Sequence, residues 1–146
     1  MKQNFDERQL LVRQKGYKYA FIMEMVLIVI FYTDTLFATK EYFTMSAILA
    51  LLLFLPVIFV TGYMVLNDAY YRVNEFNKLG FSSLFFLGLG LFHLYIFLSS
   101  QSYQRVIVDG QVTNNIVSVL SAIMFLNVGL CSSYKYLQNR RTRKRK

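Results

Sequence analysis

The sequence predicts an all-α integral membrane protein, a four-helix bundle that crosses the bilayer four times with its N and C termini in the cytoplasm. Three observations lead there. Hydrophobic residues make up 55% of the 146-residue chain, and they collect into blocks of about 20, the length that crosses a hydrocarbon core of about 30 Å as helix. Backbone groups in lipid must be satisfied within their own segment, which selects helices for such blocks. Finally, Lys and Arg crowd the segments on one side of the blocks, the side that stays inside the cell.

The first predicted span covers residues 19–37 (YAFIMEMVLIVIFYTDTLF). It follows a basic segment, as a secretory signal would. Its apolar stretch exceeds the usual signal core of about 7–15 residues, and no small-x-small site follows, so it reads as a retained span. The second covers 46–66 and holds Pro56 near its middle, where the missing N–H and the crowded carbonyl of Leu52 favour a kink. Broken helices also line transport sites, but packing is the simpler role. The third span is the shortest, at 81–98, and the fourth covers 115–137. On the fourth, Ser118, Ala122, Gly129 and Ser133 form a stripe of small residues along which another helix backbone can approach, with Gly88 and Gly90 of the third as facing residues. The stripe packs either within one chain or between two copies. Short connections make sequential helices antiparallel neighbours.

Every Lys and Arg except Lys40 and Arg105 falls before the first span, between the second and third, or after Tyr134 near the end of the fourth. This fixes the expected orientation, with the plasma membrane as the location. Tyr17, Tyr19, Tyr63, Tyr134 and Tyr136 then lie at the inner interface and Tyr32, Tyr42 and Tyr95 at the outer one, where amphipathic rings are favoured. In the second outer loop, Asp109-Gly110 sits between β-prone residues and predicts a hairpin turn.

Ionisable and polar groups inside spans are costly and need a reason. They are Glu24, Asp34, His93 and Asn127. One reading makes Glu24, His93 and Asn127 parts of a polar path for protons or a small cation. The other pairs Glu24 with a nearby Lys or Arg, leaves Asp34 near water, and has His93 and Asn127 bond to a neighbouring helix. The second reading is favoured, because carboxylates near the two edges leave the bilayer centre without a relay.

A second group is cytoplasmic. After the second span, NDAYYRVNEFNK brings together Asp68, Tyr70, Tyr71, Arg72, Asn74 and Glu75, and the N-terminal Asp6, Glu7, Arg8 and Gln9 face it across the membrane surface. In helical form Asp68 and Arg72 would share a face, as would Tyr71 and Glu75. Mixed aromatic and charged residues suit a docking surface for a protein partner; a solvated loop anchored by its tyrosines is the plainer alternative. The DERQ element, Gly16 before the first span, and Asp68, Ala69, Tyr70, Tyr71 and Asn74 after the second together resemble a group of short, uncharacterised bacterial multi-span membrane proteins. The likeness covers the first half of the chain. It implies a fold and a bacterial origin more than an activity, and it adds weight to the paired motifs.

The tail, residues 138–146, carries Arg140, Arg141, Arg143, Lys144, Arg145 and Lys146. A polybasic run inside the membrane attracts anionic lipid headgroups, by about 1 kcal/mol per charge. Without aromatic interleaving it does not read as a nucleic-acid site. No Gly-rich phosphate loop, HExxH, CxxC or GxSxG occurs. One His and one Cys leave no His/Cys metal site, and the lone Cys131 forms no internal disulfide. Neither a catalytic role nor a cofactor is expected. Three functions follow as expectations: an anchor or accessory subunit that binds a cytoplasmic regulator or transport complex, an oligomeric small-molecule or ion transporter, and an immunity protein against a membrane-active peptide.

Overall fold

The computed structural model describes residues 5–38, 41–71, 78–99 and 105–143. It contains α1 (Glu7–Phe37), α2 (Met45–Leu66), α3 (Leu79–Ser99), a two-stranded hairpin of β1 (Ile107–Val108) and β2 (Gln111–Val112), and α4 (Ile116–Arg143). All four helices are long and apolar enough to cross a membrane. The C-terminal boundary of α1 and both ends of α2 lie within a residue of expectation. Two basic segments read as flanks are instead helix: α1 begins at Glu7, and α4 continues through the first part of the tail to Arg143. A helix pays its nucleation cost once, so a formed apolar span extends into adjoining polar residues without breakers.

Packing departs from simple sequential pairing. α1 packs on α2 and α3 on α4, but α2 packs chiefly on α4 rather than on α3, giving the neighbour order α1, α2, α4, α3. The α3–α4 contact uses reciprocal glycines. A methyl at Gly90 would meet Leu126 Cγ at 2.7 Å, and one at Gly129 would meet the Leu87 backbone nitrogen at 2.8 Å. Gly90 thus faces the fourth helix as expected, whereas Gly88 has open space beside it. Of the expected stripe, Ala122 and Gly129 are buried while Ser118 and Ser133 are only partly so. Among the described residues, Ser132 is the serine with no exposed surface. Pro56 is buried within an α2 that continues through it as helix.

The start of α1, the end of α2 and the last turns of α4 meet at one end of the bundle, here termed the termini end. The hairpin lies at the other. Asp109 (φ 50°) and Gly110 (φ 80°) make its tight turn, and Phe43 adds a parallel bridge to Val112. Thr44 then donates its N–H to the Val112 carbonyl at 2.9 Å and caps α2. Tying the hairpin to the α1–α2 connection supplies support that two strands alone lack.

Candidate functional site: a polar joint at the termini end

The joint starts from how α2 stops. After Leu66, the Ala69 N–H bonds the Met64 carbonyl at 2.8 Å and the Asp68 N–H bonds the Val65 carbonyl at 3.2 Å. These two bonds are the Schellman pattern, whose central residue takes a left-handed conformation and is usually glycine. Here it is Asp68, at φ 59°. Asp is among the few residues that tolerate this region, and its side chain gains what glycine could not. Lys135 Nζ donates to Asp68 Oδ2 at 2.8 Å, and Arg8 lies 3.8 Å from the same oxygen.

α1 meets this turn through its first residues. Asp6 caps the helix: its Oδ1 accepts the Gln9 N–H at 2.6 Å, and Gln9 Oε1 accepts the Asp6 N–H at 3.2 Å. This reciprocal capping box satisfies two otherwise orphaned donors. It also fixes the Gln9 amide, whose Nε2 donates to the carbonyls of Asp68 at 2.6 Å and Tyr71 at 3.2 Å. Gln9 is 2% exposed, and Ala69 beside it is fully buried. Arg8 Nη2 adds a bond to the Asn67 carbonyl at 3.1 Å.

The other two helices join through hydroxyls. The Tyr71 hydroxyl lies 2.6 Å from Ser82 Oγ of α3 and 3.0 Å from Ser132 Oγ of α4. Tyr70 packs edge-on to Tyr71, with ring centroids 5.0 Å apart. Burial, and secondarily the neighbouring Tyr71, raises the Tyr70 hydroxyl above the ordinary tyrosine range.

The structure therefore brings the two sequence motifs together, but as a joint of mutually satisfied groups. Gln9 is buried, while Asp68, Tyr70 and Tyr71 are half-buried. Asp68 stands in a turn rather than in a helix. Asp6, Glu7 and Arg8 remain exposed. Arg72, Asn74 and Glu75 lie outside the described residues, as do Lys144, Arg145 and Lys146; Arg143 ends α4, and Arg140 and Arg141 are exposed on it. Sequence reasoning missed Ser82, Ser132 and Lys135. The available signal was the spacing of Asn127, Cys131, Ser132 and Lys135, which gives α4 a polar face.

The intramembrane polar residues do not converge. Glu24 and Asp34 fall on the stripe of α1 that includes the buried Gly16 and Ala20, but among the described residues Glu24 forms no ion pair, contrary to expectation. His93 packs its ring against Phe125 of α4, with centroids 5.3 Å apart, where a hydrogen bond to a neighbouring helix was expected. Asn127 does bond a neighbour, donating to the Ile58 carbonyl of α2 at 2.7 Å. α1 and α3 stand at opposite ends of the helix order, which separates Glu24 from His93 within one chain. Among the described residues, no three His, Cys, Asp or Glu groups come close enough to hold a metal ion.

Four packed apolar helices with short connections define a multi-pass α-helical membrane protein. Comparison with known protein families, curated proteins and solved structures returned no match.

Proposed function

We propose that this chain is a membrane anchor or accessory subunit that holds a cytoplasmic partner, a soluble regulator or a transport complex, at the inner surface of the plasma membrane. The supporting observation is the joint itself. It locks the first turn of α1 to the end of α2 and to α4, so the exposed Asp6, Glu7 and Arg8 are presented in a fixed arrangement. Arg140 and Arg141 are exposed on the same terminal extension of the bundle. The positive-inside rule places this end in the cytoplasm. A preorganised surface binds without first paying to order its groups. Transport draws less support, because Glu24, His93 and Asn127 sit at separate helix contacts.

The test is capture of partners from native membranes by the intact chain, read by mass spectrometry, beside a Glu7→Ala/Arg140→Ala/Arg141→Ala variant, which changes exposed residues outside the joint. A specific partner retained by the wild type and lost from the variant supports the proposal. Identical partners in both, or none in either, contradict it. Asp68→Ala is less informative, since it would disturb the joint as well as the surface.

A further inference from the structure

Gly16 sets the height of α1 against α2. It lies so close that a methyl there would meet Tyr63 Cδ1 at 3.1 Å and Val60 Cγ2 at 3.3 Å. α2 stays apolar beyond these residues, through Leu66. Lys15 and Lys18 flank Gly16 in sequence, so both stand level with the last apolar turns of the neighbouring helix rather than beyond them. Each is exposed. With Leu11 and Ile22 they follow a spacing of four, three and four residues, which is one helix face. That face continues through Val26 and Val29, also exposed.

Two ammonium groups at this depth need a counter-charge, because cations are costly to hold near hydrocarbon. Among the described residues both ion pairs run to Asp68, from Arg8 and from Lys135, and neither involves Lys15 or Lys18. Lysine stems can lie along apolar surface while the ammonium reaches the headgroup layer. Their Cα atoms differ by about 4.5 Å along the helix axis, within reach of one phosphate. We infer that Lys15 and Lys18 clasp the headgroup phosphate of an anionic phospholipid, with an acyl chain lying along Ile22, Val26 and Val29. The site is separate from the α4 tail and does not depend on any protein partner.

The test uses the full chain in phosphatidylcholine nanodiscs with and without phosphatidylglycerol, read by melting temperature. Phosphatidylglycerol raises the wild-type value, and K15Q/K18Q loses at least half of that rise while melting normally in phosphatidylcholine alone. K15R/K18R keeps the rise, and R140Q/R141Q loses less of it than K15Q/K18Q. Inorganic phosphate added to phosphatidylcholine discs produces no rise. A full phosphatidylglycerol response in K15Q/K18Q overturns the site, as does an equal response to free phosphate or a larger loss in R140Q/R141Q. If K15Q/K18Q does not fold, lipid retention by K18Q in native mass spectrometry decides: fewer bound phosphatidylglycerol molecules than wild type support the site, and an unchanged number removes it.

Discussion

Asp68 carries two demands that oppose each other. Its backbone occupies a region where a side chain costs about 1–2 kcal/mol, and its carboxylate holds Lys135, whose side chain is 11% exposed. The substitution series follows from the sum. Asp68→Ala keeps the backbone strain and loses both ion contacts, for a destabilisation of about 2 kcal/mol. Asp68→Gly loses the same contacts but relieves the strain, so it should cost about 1 kcal/mol less than alanine. Asp68→Asn tolerates the conformation and should fall nearest the wild type. Denaturation in mild detergent measures the order Asn, Gly, Ala; alanine outlasting glycine would show that the left-handed turn is not what the chain adopts. The sequence could not disclose this conflict. DAYY reads as a continuation of helix or as loop, and nothing local in it says that Gln9, far away in the chain, will donate to its carbonyls.

At the scale of elements, spans were legible and contacts only partly so. Apolar length fixes where a helix crosses, and α2 ends with its apolar stretch at Leu66 because the turn at Asp68 stops it there. Apolar length alone does not stop a helix, and so α1 and α4 run on through basic residues. The Asp109-Gly110 turn was legible because two successive residues with φ above zero demand that chemistry. Which face of α3 meets α4 was only half legible, since α3 is apolar around its circumference: Gly90 lies at the contact as expected and Gly88 does not. Two glycines, Gly129 of α4 and Gly88 of α3, separate the alternatives experimentally. Gly129→Val forces a side chain into the α3 backbone and should cost about 1–3 kcal/mol, while Gly88→Ala enters open space and should leave the melting temperature unchanged. Equal effects at the two positions would place the α3–α4 contact on another face.

For the whole molecule, the order α1, α2, α4, α3 decides what the protein can do. It keeps α1 at one edge, tied to the rest by the tight contact at Gly16 and by the polar joint. It also leaves the membrane-embedded polar groups apart, while gathering charged groups at the termini end. Loop length alone suggested that sequential helices would pair, and for α2 and α3 the polar face of α4 prevails: Asn127, Ser132 and Lys135 all bond to α2 or to the turn that follows it. Buried hydrogen-bonding groups must find partners, and these partners lie on α2 or in the turn after it rather than on α3.

The account rests on the joint and both termini facing the cytoplasm, and cysteine accessibility tests this most directly. In a Cys131→Ala background, single Glu7→Cys and Asp109→Cys variants are exposed in intact cells to a maleimide that cannot cross the membrane. Both positions are exposed in the fold, so labelling reports sidedness. The account predicts that Asp109→Cys labels in intact cells and Glu7→Cys only after permeabilisation. The reverse pattern would place the joint and the charged termini outside the cell and contradict the proposed function.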